Sequence, residues 1–206
     1  MDVYDYLVNL MLAVVIIIGG YQFYFFPQKN KFIKAIELRS KIDNNIPFRP
    51  RWVWVYSGLY YPIILALVFA VSSFKQFNYI VFSFVFLLIC QLIIFFFFPI
   101  QTPKSWRDFK ERDSISIKFL NLVHSFDDRS NCFPSMHVSV ATLTAFHLMN
   151  IYIVDYPNGV LLFFLFPLLI SLSTLYTKQH YFIDIPAGIL LGYFVYLLFM
   201  YINIPL

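Results

Sequence analysis

Apolar residues run almost unbroken through six stretches of the chain, at about residues 5–26, 53–74, 77–98, 136–154, 159–176 and 181–203. Each approaches the roughly 20 residues that an α-helix needs to cross a bilayer. None alternates apolar and polar positions as a lipid-facing barrel strand must, so helices are favoured. The pattern predicts an all-α fold, a polytopic bundle of six transmembrane helices in a single domain over residues 1–206, without internal repeats or low-complexity linkers. The first run follows Asp2 and Asp5 rather than a basic stretch, and no small-residue cleavage site follows it. It is therefore expected to be a retained span and not a signal peptide.

The polar stretches are unequal. Between the first two spans lies KNKFIKAIELRSKIDNNIPFRPRW, where Phe32, Ile33, Ile36 and Leu38 sit among cations. That mixture predicts a short interfacial helix with lysines reaching toward headgroups. A longer polar loop, PIQTPKSWRDFKERDSISIKFLNLVHSFDDRSNCF, joins spans 3 and 4. Spans 4 and 5 are joined by a tight turn with good turn chemistry at Asp155, Pro157, Asn158 and Gly159.

Composition supports the membrane reading: 60% of residues are hydrophobic and 13% charged, more apolar surface than a soluble domain of this size can hide. Charge then separates two faces. With six spans, loops 1, 3 and 5 share a face that carries Lys29, Lys31, Lys34, Arg39, Lys41, Arg49, Arg51, Lys104, Arg107, Lys110, Arg112, Lys118, Arg129 and Lys178. Only Lys75, of 15 Lys and Arg, falls on the other. Such asymmetry follows from orientation, since cytoplasmic loops are usually the basic ones, and also from function, since a basic face gathers anionic substrates. Cys90 in an apolar run and Cys132 in a polar loop belong at different depths, so both are expected as unpaired thiols and no metal cluster is indicated.

Among the four histidines, His124 reads as a loop residue and His147 as a hydrogen-bonded residue within the bundle. His137 and His180 differ, because each lies at the edge of a span on the basic face. In STLYTKQHYFIDIPAG, His180 and Asp184 are four apart and on a helix would share a face. A carboxylate there fixes one imidazole nitrogen and leaves the other as an outward lone pair, as a nucleophile or base requires. A buried Asp needs a partner in any case, so the pair alone is equally a structural one. Lys178 adds a cation able to meet a phosphate. In NCFPSMHVSVA, Pro134 sets a turn and Ser135 is a natural N-cap for a helix starting near Met136. Helix N-termini bind phosphate oxygens, and His137 in the first turn would reach such an anion. Taken alone, this segment is equally a capped span with an incidental histidine.

Together, Pro-Ser-x-His followed by His-x-x-x-Asp resembles the type 2 phosphatidic acid phosphatase superfamily, over about residues 46–191. The stretches IPFRPRWVWVY, FFFFPIQTPKSW, NCFPSMHVSVA and YTKQHYFIDIPAG are most similar to its inositol phosphorylceramide synthase-like branch. The resemblance implies a six-helix membrane enzyme that cleaves or transfers phosphate esters through a phosphohistidine, without metal or other cofactor. It implies that His180 attacks phosphorus, Asp184 orients it, and His137 protonates the leaving alcohol and then activates water or an acceptor hydroxyl. Ser135, Lys178, Lys104, Arg107 and Arg49 are the candidate phosphate ligands. The sequence departs from the usual motifs at three places. Met136 stands where glycine is usual. Ile42 stands where Arg49–Pro50 should have its lysine, which makes Lys104 and Arg107 the better cationic candidates. Ser173–Thr174 replaces Ser-Arg, with Lys178 left to supply the charge.

The expected activity is a lipid phosphate phosphatase of the cell membrane, with lipid phosphate and the bilayer as partners and no nucleic acid. Head-group transfer to an alcohol is the alternative, and a non-catalytic lipid-binding scaffold is the alternative of another class. A transporter is disfavoured by the scarcity of ionisable residues at mid-span. The charge asymmetry points the active face to the cytoplasm, whereas the resemblance points it outward.

Overall fold

The computed structural model describes residues 1–29, 33–38, 40–108 and 114–202. Lys31, Phe32, Arg39, Lys110 and Arg112 of the readings above lie outside the described residues. The chain is helical almost throughout: α1 (Val3–Lys29), α2 (Lys41–Asn45), α3 (Tyr60–Ala70), α4 (Phe74–Phe97), α5 (Ile115–Phe126), α6 (Met136–Tyr152), α7 (Leu165–Tyr176) and α8 (Asp184–Ile202). Two two-residue strands, β1 (Ile36–Glu37) and β2 (Ile100–Gln101), pair in parallel with Ile36 opposite Ile100. Four stretches are long and apolar enough to cross a membrane: Val3–Lys29, Pro50–Ala70, Phe74–Phe97 and Asp184–Ile202. The apolar helix Val160–Tyr176 is shorter.

Local chemistry sets the boundaries. The second apolar run breaks after Ala70 because Ser73 caps α4, its Oγ accepting from Gln76 N at 3.1 Å. The helix ahead of α3 opens with a 3₁₀ turn at Pro50–Trp52 and a π-helical stretch at Trp54–Leu59. The last run was expected to be helical from residue 181, but α8 starts at Asp184. Residues 177–183 are a turn, because α7 ends in a Schellman arrangement: Lys178 N donates to Leu175 O and Gln179 N to Thr174 O. Lys178 takes the left-handed position at φ 58°, where glycine is usual.

The expected interfacial helix between the first two spans is not what the described residues form. They make β1 and the five-residue α2, because this stretch is tied to two other loops instead of lying free on a surface. Glu37 accepts from Arg129 at 3.1 Å, Asp43 Oδ1 accepts from Phe182 N at 2.7 Å, and Tyr181 Oη donates to Gln101 O at 3.0 Å. The three loops placed on one face by the charge pattern thus interlock at one end of the bundle. An amphipathic helix does occur, as α5 in the long loop, with Ile115, Leu122 and Phe126 exposed and Ile117 and Leu120 buried.

The centre of the bundle is α6, packed against α8 and α7. Val138, Ala141 and Leu143 of α6 are fully buried. The α6–α8 contact is close because α8 presents Gly188 and Gly192 one turn apart. A Cβ at Gly188 would stand 2.8 Å from Ser135 O, and one at Gly192 2.5 Å from Ser139 O. Small residues four apart let helix backbones meet where lipid cannot drive association. This contact brings the start of α8 against the start of α6.

Candidate active site

Where α6 and α8 begin, their first residues bond to each other. Ser135 N donates to Asp184 O at 3.1 Å, and Ser135 Oγ caps α6 by accepting from Val138 N at 3.4 Å. The expected N-cap is therefore present. The peptide bond Phe133–Pro134 just before it is cis. Asp184 is fully buried, and its Oδ2 accepts from Tyr181 N at 2.8 Å and approaches His180 Nδ1 at 3.2 Å. The His–Asp contact is made across a turn, not along a helix face, because the chain between them folds back before α8 begins.

A second partner fixes the tautomer. His180 Nδ1 lies 2.8 Å from Cys132 O, a carbonyl that can only accept. Nδ1 therefore carries the proton and Nε2 carries the lone pair. His137 faces it across a gap, with ring centroids 6.3 Å apart. The His137 ring is stacked on Tyr56 at 4.2 Å and lies 4.7 Å from Tyr60, and its Nδ1 is 3.3 Å from Tyr56 Oη. Tyr56 arrives from the π-helical stretch and Tyr60 from the start of α3. Nothing in the sequence distinguishes these two from the other tyrosines, and the Cys132 carbonyl has no side-chain signal at all.

The cations assort less simply. Lys178 is buried, with Nζ donating to Asp43 O at 2.7 Å and standing 4.8 Å over the Trp106 ring. Burial lowers its pKa, against the opposing pull of Asp43. Arg107 binds the loop that leads to Ser135: Nη1 donates to Asp127 O at 2.7 Å and Nη2 to Asp128 O at 2.9 Å. Its Nη2 also donates to Gln179 Oε1 at 3.3 Å, next to His180. Lys104 begins the 3₁₀ turn Lys104–Arg107 that Arg107 ends, its side chain exposed, and no described contact ties it to either histidine. Arg49 is exposed and anchored through its backbone, N donating to Tyr176 O at 2.8 Å.

His124, expected as a loop residue, sits on α5 and meets the Gln179 amide through Nε2. Burial, with Arg107 adding to it, pushes its pKa down to about 3. Asp127 Oδ1 accepts from Gln28 Nε2 at 2.6 Å, yet burial raises its pKa overall. His147 bonds to Ser83 Oγ at 2.8 Å inside the bundle, as the sequence suggested. Both cysteines are free, and no group of three His, Cys, Asp or Glu able to hold a metal ion occurs among the described residues.

One cavity is lined by His137 and a second reaches its neighbour Met136. The first, about 270 Å³, is lined by His137, Asp127, Tyr24, Tyr56 and the side of α5 that carries Phe119, Leu122 and Phe126. The other, about 150 Å³ and almost wholly apolar, lies between α1, α3 and α4 and reaches Met136. The site therefore offers a lone-pair nitrogen, a facing imidazole, nearby cations and apolar room.

No curated protein and no solved structure matches the chain. A family model described as the PAP2 superfamily matches residues 40–198. That stretch holds both histidine segments, all but β1 of the loops interlocked around them and seven of the eight α-helices described, wholly or in part, and the chain is thus a multi-pass membrane protein that belongs to the PAP2 superfamily.

Proposed function

We propose that the protein is a membrane lipid phosphate phosphatase working through a phosphohistidine at His180, built as one unit with six spans and close to the inositol phosphorylceramide synthase-like branch. The observation that carries the reading is the pairing at His180, whose Nδ1 is held by Cys132 O and Asp184 while Nε2 stays free to attack. Nε2 attacks phosphorus as the bond to the lipid oxygen breaks, and His137 gives that oxygen a proton. Tyr56 Oη beside His137 Nδ1 supports this role, because it can accept from Nδ1–H of the imidazolium and leave the Nε2 proton for the departing oxygen. Water then loses a proton to His137, its oxygen attacks phosphorus, and the P–N bond breaks to release phosphate.

Two imidazoles on opposite sides of a phosphoryl group suit in-line displacement. Lys178, Arg107, Lys104 and Arg49 supply positive charge to that end of the bundle, and Ser135 holds the helix N-terminus beside it. These protein cations meet the electrostatic need without a metal or other cofactor. A second reading, transfer of the phosphoryl-bearing head group to an alcohol, is favoured by the cavity beside His137 and Asp127, which has room for an acceptor.

The test uses purified protein in lipid nanodiscs with a ³²P-labelled lipid phosphate. Wild type should release phosphate, His180→Ala should form no labelled protein, and His137→Ala should accumulate acid-labile label on His180. Full turnover by His180→Ala would sink the mechanism. Label moving to an added alcohol instead of to water would select the transfer reading.

A further inference from the structure

The apolar cavity between α1, α3 and α4 contains a polar group that nothing satisfies. Gln91 of α4 lines the cavity and is fully buried. Ser139 Oγ donates to Met136 O at 3.0 Å, so it can accept from Gln91 Nε2, which lies 2.9 Å away. The amide is thereby oriented, and Gln91 Oε1 is left buried with no hydrogen-bond partner. A buried carbonyl without a donor costs about 1–3 kcal/mol, and such groups in native proteins call for an explanation.

Position supplies one. Gln91 is bonded to the residue two beyond His137, and the cavity wall at this level includes Met136, Tyr60 and Tyr61. From there the lining runs along α3 from Tyr60 to Val71, roughly 16 Å of helix at the usual rise. That is about half the thickness of a bilayer's hydrocarbon, the depth of one leaflet. The far part is walled by residues such as Ile17, Ile64, Leu67 and Phe84, with no polar group among them. The cavity is thus apolar in its far part, and Gln91 adds a buried acceptor without a partner near the end that meets the site.

We infer that this cavity seats the hydrocarbon chain of the lipid substrate and that Gln91 Oε1 accepts a hydrogen bond from a hydroxyl or amide N–H carried on the lipid backbone close to the phosphoester. Gln91 is then a specificity-determining residue. A lipid with such a donor completes the buried amide, whereas a lipid whose backbone offers only ester oxygens leaves it unpaired. The inference rests on the proposed function for the identity of the ligand as a lipid phosphate.

The test compares three probes in nanodiscs: an N-acylated amino-alcohol lipid phosphate without a free hydroxyl, its N-methyl counterpart and a diacylglycerol phosphate. Wild type should turn over the N–H probe with kcat/KM about tenfold or more above the other two, and Gln91→Met should bring the three together. The N-methyl probe deletes the donor from the ligand, so the wild-type comparison stands even if Gln91→Met fails to fold. Equal kcat/KM for the N–H and N-methyl probes overturns the inference while leaving the phosphatase reading intact. Release of phosphate from none of the probes overturns the phosphatase reading instead. In that case displacement of a fluorescent lipid by the same probes tests the cavity separately, and equal displacement overturns the inference.

Discussion

Helix α6 carries two histidines, His137 in its first turn and His147 in its interior, and their surroundings are opposite. Around His147 every direction is closed. Ser83 Oγ spends its proton on Ile80 O at 2.6 Å and accepts from His147 Nε2, while Tyr79, Phe84 and Tyr196 surround the ring. His137 has an aromatic wall of Tyr56 and Tyr60 on one side, and a cavity and His180 on the other. The same side chain on the same helix is a packing group where a hydroxyl closes it in. It is a candidate acid–base where a second imidazole with a free nitrogen stands across a gap.

The sharpest break of this comparison is activity. His137→Ala should lower phosphate release about 100- to 10,000-fold, while His147→Leu stays within about threefold, both measured at saturating lipid. Equal losses would erase the distinction. Next in size is the contact that sets the gap itself. Gly192→Ala puts a methyl group 2.5 Å from Ser139 O and must push α8 from α6, at about 1–3 kcal/mol of stability in detergent unfolding. Because α8 begins at Asp184, turnover should fall as well.

Two hydroxyl deletions then separate the histidines again. Tyr56→Phe should lower kcat about fivefold with little change in stability. Ser83→Ala should leave kcat unchanged and lower stability by about 1 kcal/mol or more, because the His147 N–H loses its acceptor. The smallest effect is that of pH on His124. Its folded pKa of about 3 lies below the ordinary 6.5, so the fold favours the neutral ring. The stabilisation is fully present above pH 6.5 and is lost as pH falls from there toward 3, where the unfolded chain takes up a proton that the folded chain refuses. Thermal midpoints at pH 7 and pH 5 should differ more in wild type than in His124→Gln.

Much of the fold was legible because membrane helices are written in local patterns. The apolar runs marked the helices within a few residues, Ser135 announced the cap of α6, and the basic loops were correctly grouped at one end. The misreadings came where distant segments interfere. The stretch between the first two spans has the composition of a surface helix, but among its described residues pairing of Ile36 with Ile100 made a strand, and docking of Asp43 on Phe182 a five-residue helix. Spacing suggested that His180 and Asp184 share a helix face, whereas a left-handed Lys178 and the end of α7 put them on either side of a turn. Their side chains still meet, because a four-residue separation is short enough for a turn to close.

The sequence by itself determined the membrane-helical class, the basic end of the bundle, and the pair of histidine segments whose match extends over residues 40–198. Only the tertiary structure decided which groups complete the site. The Cys132 carbonyl that sets the His180 tautomer, the tyrosines against His137, the glycine contact that brings α8 onto α6, and the unpaired amide of Gln91 all depend on segments far apart in the chain. Helix formation and capping are governed by neighbours within a turn, so residue order records them directly. The register between helices is governed by which surfaces can approach, and that is known only once they are packed.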